Sequence, residues 1–201
     1  MAAILPPHYY HHTDVLHVSR DLLGKYLLTH LDGDITGGMI IETEAYRGPE
    51  DKASHAYNNR RTPRNQVMYQ EGGVAYVYFC YGLHNMFNIV TNKADIPHAV
   101  LIRAILPAVG IETMIKRRRK QKLDKTLTSG PGATAQALGI TRALNGSSLT
   151  GPQIWLEDRN IIIPEEAIIA SERVGIDYAG EHAKLLWRFR IQPSVLKKIN
   201  L

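Results

Sequence analysis

Apolar residues recur at helical spacing over residues 14–24, where Val15, Leu16, Val18, Leu22 and Leu23 fall on one side of a 3.6-residue repeat. The pattern predicts a packed helix with Asp14 as its N-cap and Gly24 as its stop. Residues 25–31 and 35–46 then flank Asp32-Gly33-Asp34, a turn signal that closes hairpins, so Glu44 lies near the end of a strand. Strand signals return at residues 74–81, 86–91 and 99–106, the last an apolar run interrupted by Arg103, which needs an acceptor. Residues 110–122 read as a helix with Ile111, Met114 and Ile115 facing inward, and 133–138 as a short helix behind the boundary Gly130-Pro131-Gly132. Residues 161–163, 168–174 and 185–191 are strand-like. Between residues 47 and 66 the periodicity lapses into Asn, Arg, Pro and His, the signature of a long surface loop, and such loops often carry function.

Strands dominate without the strand–helix alternation of a parallel sheet, and no repeat or linker divides the chain. The expectation is an α+β fold, a single domain over residues 1–201, whose curved, mostly antiparallel and partly open, barrel-like sheet carries flanking helices. A chain of 201 residues is long enough to bury a core of its own.

Composition narrows the function classes. Lys and Arg number 24 against 19 Asp and Glu, a net charge of +5 that attracts polyanions on average, though many plain enzymes are as basic. Cys80 is the single cysteine, which excludes an internal disulfide and a thiolate metal cage and fits a reducing cytoplasm. No apolar run reaches the ~20 residues of a membrane span, and residues 1–7 are short for a signal peptide. The expectation is a soluble cytoplasmic protein.

Alternation along residues 41–46 puts Glu42, Glu44 and Tyr46 on one strand face and Ile41 and Thr43 on the other. Such a face reads either as a wet sheet surface or as a site, and the His-bearing loop that follows, with His55, tilts the reading toward a site. Tyr76 and Tyr78 share a face, while Tyr81 beside Gly82 is presented at a tip. Core packing is one reading of these rings; the other is stacking on nucleobases, worth about 1–3 kcal/mol per base. Arg60, Arg61 and Arg64 are phosphate candidates, whereas the six cations within residues 116–122 read either as a solvated helix end or as a further basic patch. The histidines of residues 8–12 have no matching ligand set, so no metal is expected.

Taken in order, several short blocks resemble the alkyladenine family of 3-methyladenine DNA glycosylases. They are Leu22-Leu23-Gly24; Ile41-Glu42-Thr43-Glu44-Ala45-Tyr46-Arg47-Gly48-Pro49-Glu50-Asp51 with His55; Thr62-Pro63-Arg64-Asn65; Tyr76-Val77-Tyr78 with Tyr81-Gly82 and Asn88; Leu101-Ile102-Arg103-Ala104; Ser129-Gly130-Pro131; Arg173-Val174-Gly175; and Ala179-Gly180-Glu181. Any one block is weak, but their order and spacing are specific and span nearly the whole chain.

The resemblance implies a monofunctional base-excision enzyme that flips alkylated purines out of duplex DNA and hydrolyses the N-glycosidic bond, leaving an abasic site. It implies that Glu44 is the general base, positioned with its water by Arg103 and the Val174 carbonyl. Tyr46, His55 and Tyr78 become walls of the base pocket, and Asn88 the residue that disfavours the exocyclic amino group of guanine. Tyr81 becomes the wedge that fills the vacated stack; Arg60, Arg61 and Arg64, the phosphate candidates of the loop beside His55, are expected to grip the DNA backbone. No cofactor and no metal are implied. The expected partner is double-stranded DNA carrying damaged purines, bound by a monomer that associates with the nucleoid and not with membrane. A non-catalytic basic nucleic-acid-binding module, which makes no demand on Glu44, and a small-molecule hydrolase built on Glu44 and His55 are the alternative readings.

Overall fold

The computed structural model describes residues 2–80 and 82–199. Its first long helix, α1 (Val15–Asp21), starts where the pattern places it: the Asp14 carboxylate accepts the Leu16 N–H at 2.9 Å. Gly24 follows at φ +91°, a left-handed conformation that favours glycine, and turns the chain into β2 (Tyr26–Leu31). β2 and the long β3 (Asp34–Arg47) form the expected antiparallel hairpin.

β3 organises the sheet. Along one edge it pairs first with β2 and then, at Glu42–Glu44, with β9 (Arg188–Ile191); along the other it pairs with β6 (His98–Val109) over nearly its whole length. β5 (His84–Thr91) lies outside β6, and β4 (Ala75–Cys80) outside β5. On the far side β2 pairs with β7 (Ile154–Asp158), which pairs with β1 (Ala3–Ile4), while β8 (Ile168–Ser171) pairs with β9. All pairings are antiparallel, and the order β1-β7-β2-β3-β6-β5-β4 leaves the sheet open, not closed into a barrel.

Near the middle of β3 the ladder shifts twice. Ile40 pairs with Ile105, Glu42 with Ala104 and Thr43 with Ile102, so Ile41 is an extra residue on β3 and Arg103 an extra residue on β6. The two irregularities cancel, and Arg103 is left free of the ladder beside Glu42 and Glu44. The opposite face of β3 packs on α1, where the buried Thr43 hydroxyl donates to the Ser19 carbonyl at 2.8 Å and the Ser19 hydroxyl contacts Thr43 at 3.0 Å. The main core lies on this side and runs from Val15 and Val18 through Ile40 and Ile102 to Phe189.

Three expectations are corrected. The helix α2 (Ile111–Arg117) stops well short of residue 122, because Arg119 takes φ +51° and ends it. Residues 161–163 are not a strand: Ile161 and Ile163 pack over the open side of Gly24 instead of joining the ladder. Residues 168–174 and 185–191 are strand only at Ile168–Ser171 and Arg188–Ile191, the stretches that pair with each other. The short helix α3 (Pro131–Ala137) packs over β5 and β6 with α2 against it, and α4 (Pro193–Leu196) closes the chain.

Candidate active site

The face of β3 turned away from α1 carries the predicted carboxylates. Glu44 is fully buried, and three groups from three parts of the chain contact it: Oε1 accepts the Val174 N–H at 2.9 Å and faces Arg103 Nη1 at 3.2 Å, while Oε2 accepts the Tyr46 hydroxyl at 2.8 Å. It is the amide of Val174 that meets this carboxylate. Arg103, which interrupts the apolar run of β6, faces both carboxylates, because its Nε donates to Glu42 Oε1 at 2.8 Å. Arg188 on β9 donates to the same oxygen at 2.7 Å. Burial opposes the Arg103 charge, but Glu44 and Glu42 outweigh it and hold the guanidinium more firmly protonated than usual.

Beside this network lies a cavity of about 500 Å³, a size suited to a small ligand or one nucleobase. Its lining includes Tyr46, His55, Tyr76, Tyr78, Asn88, Arg103 and Val174, so the predicted pocket residues are brought together around one space. The floor is a small cluster of its own, in which Tyr76 packs with Ala56, Met68, Val90 and Ala99. Tyr76 also bonds His55 Nδ1 at 2.8 Å, and the His55 ring stands edge-on to Tyr78 with centroids 4.6 Å apart. Asn88 Nδ2 donates to the Tyr76 carbonyl across the strand pair at 3.2 Å.

Electrostatics keeps the walls neutral. Burial, reinforced by the positive charges of Arg64 and Arg60, pulls the His55 pKa down to about 4, so the imidazole is uncharged at neutral pH. Burial and then the Glu44 charge push the Tyr46 phenol well above its usual range, so it remains a proton donor. Burial likewise raises Tyr76 and Tyr78.

The structure adds residues that the sequence reading left without a role. Arg173 and Asp51, both buried, form a two-armed pair, with Nη2 on Oδ1 at 2.9 Å and Nη1 on Oδ2. Arg173 Nη1 also donates to the Ala45 carbonyl at 2.9 Å, and the guanidinium stacks on Tyr46 and Trp187 at 4.8 and 5.1 Å. This pair therefore fixes Tyr46 from behind and holds the neighbouring Val174 amide against Glu44. The matched blocks contained Asp51 and Arg173, but no periodicity relates residues 122 positions apart.

The cations divide. Arg60 and Arg64 line a second cavity of about 320 Å³ with Lys52, Tyr57 and Thr62, joined to the first through Ser54, His55 and Tyr178. Arg61 is turned aside onto Asp95 at 2.5 Å and the Tyr69 ring at 3.9 Å. Within residues 116–122, Arg117 reaches Thr36 Oγ1 and the Leu31 carbonyl, Arg118 the Leu127 carbonyl and Gln136, and Lys120 Asp124, so half of that cluster serves the fold. His12 stacks on His17 at 4.4 Å and His11 faces Glu71 at 3.3 Å; among the described residues no three His, Cys, Asp or Glu are grouped to hold a metal ion. Tyr81 lies outside the described residues.

The family model of methylpurine-DNA glycosylase matches residues 9–195. The chain belongs to that family. It is 52% identical to a protein of Chlamydia abortus over 92% of this chain and 97% of that one, and 50% identical to one of Chlamydia felis over 98% and 100%. A protein of Natranaerobius thermophilus is 45% identical over 93% and 95%. All three carry the name "Putative 3-methyladenine DNA glycosylase". The chain is thus a DNA glycosylase, an enzyme of DNA repair acting on alkylated bases.

Two predictions follow from the geometry. Asp51→Asn strands a buried guanidinium and costs roughly 3–5 kcal/mol of stability. Pairing it with Arg173→Met restores part of that loss; denaturant unfolding in which the two losses simply add would show that the pair is not coupled. For His55, an unfolded imidazole takes its proton near pH 6.5 and the folded one near pH 4, so its contribution to stability is full above ~6.5 and is lost as pH falls toward 4. Ring NMR should show a His55 midpoint near 4 that rises in Arg64→Gln; a midpoint near 6.5 contradicts the neutral wall.

Proposed function

We propose that this enzyme is a monofunctional glycosylase that receives a flipped alkylated purine in the 500 Å³ cavity and hydrolyses its N-glycosidic bond with water activated by Glu44. The observation that carries the reading is the occupancy of the Glu44 carboxylate. An ionised carboxylate offers about four acceptor directions. Val174 takes one on Oε1, where the Arg103 guanidinium lies in ion-pair contact, and Tyr46 takes one on Oε2. We assign the direction left on Oε2 to the proton of a water, and the fixed contacts prevent the carboxylate from swinging away from it. A general base must stand within hydrogen-bond reach of the proton it removes, and here its position is set before substrate arrives.

The walls suit a cationic base. Tyr46 and Tyr78 offer aromatic faces, and an alkylpurinium gains cation–π attraction of about 0.5–2 kcal/mol there. A protonated histidine would oppose that cation, and His55 stays neutral. Asn88 lines the cavity, and its role in this reading is to disfavour the extra amino group of guanine. A 3-methylpurine already carries positive charge and leaves readily, so the reaction needs a held water and a base more than an acid. Bond breaking at C1′ releases the base with the glycosidic electron pair, the water oxygen bonds to C1′, and Glu44 takes the water proton. No lysine is among the described residues lining the cavity, in keeping with attack by water instead of an amine and with the absence of strand cleavage.

The substrate is double-stranded DNA, with extrusion of the base costing a few kcal/mol and least at damaged pairs. Arg60 and Arg64 hold its backbone on the pocket side, and Tyr81 fills the vacated stack. The protein acts as a cytoplasmic monomer.

Glu44→Gln keeps the shape of the site but cannot accept the proton. Single-turnover release of 3-methyladenine from a duplex should fall at least ~100-fold while lesion binding is retained. Release within tenfold of the wild-type rate would remove Glu44 from the mechanism.

A further inference from the structure

The β4–β5 hairpin divides two hollows. On one side is the deep cavity with Arg64; on the other is a shallow hollow of about 340 Å³ lined by Phe79, Asn85, Thr141, Arg142 and Ala143. Phe79 belongs to both linings. Its carbonyl faces Arg64 Nη2 at 3.5 Å, and its ring lies 5.9 Å from the Arg142 guanidinium, so one guanidinium approaches each side of the hairpin end.

Arg142 is held there by structure. It opens a single 3₁₀ turn, Arg142–Leu144, whose Leu144 is buried in the main core. The next residue, Asn145, accepts the Val77 N–H of β4 at 2.9 Å, which ties the turn to the hairpin. The Arg142 side chain is exposed and, unlike Arg103, Arg173 or Arg188, makes no ion pair or hydrogen bond among the described residues. Among the described residues lining its hollow it is the one that carries a charge. Phe79 beside it exposes 43% of its surface, and Leu83, at the turn of the same hairpin, 72%, so the hairpin end is apolar. An unpaired guanidinium on a turn held in place beside such a hairpin end lacks an anion that its own chain does not supply.

We infer that this hollow receives the sugar–phosphate backbone of the DNA strand opposite the lesion, with Arg142 on a phosphate oxygen. The inference rests on the glycosylase reading above. A damaged base entering the deep cavity brings its own strand to the side of Arg60 and Arg64. A hairpin inserted into a groove of the duplex then has the complementary strand on its other face, where Arg142 stands. Positive charge on both sides of an apolar hairpin end matches two polyanionic backbones flanking stacked bases. Phosphate contacts of this kind fix orientation without reading sequence.

The test compares binding and excision on a duplex with one 3-methyladenine and on the same strand without its complement. Arg142→Gln should weaken duplex binding roughly tenfold, as expected for one charged hydrogen bond lost, and lower the salt slope by about one. It should leave single-strand binding within about twofold of wild type, whereas Arg64→Gln should weaken both; Arg142→Lys should restore most of the duplex affinity. An unchanged melting temperature shows that the variant is folded. If Arg142→Gln binds the duplex as wild type does, or loses equally on both substrates, this proposal is overturned while the glycosylase reading stands. If the wild-type protein releases no base from either substrate, the glycosylase reading falls and this proposal with it.

Discussion

A carboxylate taken wholly out of water must find donors in the protein or lose its charge, and Glu44 is such a carboxylate. Its donors come from β6, from β3 itself and from the segment after β8, so none of the three can move without exposing the buried charge. Much of the fold near the site exists to deliver them. The cancelled irregularity between β3 and β6 frees Arg103 from the ladder and aims it at Glu42 and Glu44, and β9 pairs with β3 at the same residues.

The surrounding charges balance in the same way. Glu42, Glu44 and Asp51 face Arg103, Arg188 and Arg173, each cation lying against a carboxylate within 3.2 Å. Removing one partner of a buried pair leaves an uncompensated charge, whereas the intact set costs far less, so the network acts as a unit. Rigidity here has a chemical purpose. A site whose dipoles are fixed beforehand spends nothing on reorganising them when charge develops on a reacting sugar. The neutral aromatic rings of Tyr46, His55 and Tyr78, lining the same cavity, complete the arrangement.

Much of this was legible along the chain because it is local. The hairpin of β2 and β3, the shared face of Glu42, Glu44 and Tyr46, and the strands carrying Tyr78, Asn88 and Arg103 all follow from two-residue alternation. What escaped notice depends on distant partners. β7 is five residues long and takes its register from β2 and β1, and β1 is shorter still. The apolar residues 161–163 look like a strand, yet they serve to cover Gly24. Glu42 was placed on the right face but without its two arginines, and the coupling of Asp51 to Arg173 has no local signature. The basic run at residues 116–122 misleads for the opposite reason: composition advertises a charged patch, while Arg117 and Arg118 spend their donors on carbonyls of the fold.

Shape and charge divide the working surface into a deep pocket with neutral aromatic walls, a basic approach at Arg60 and Arg64, and an apolar hairpin end between them and Arg142. This division makes sense if one base leaves the duplex and the rest of the duplex stays outside. The most direct measurement is a crystal structure of Glu44→Gln bound to a duplex with a single alkylated purine. The account predicts the damaged base inside the cavity, between Tyr46, His55 and Tyr78, with its C1′ facing residue 44. A base still stacked in the duplex, or lodged elsewhere on the surface with the cavity empty, would contradict it.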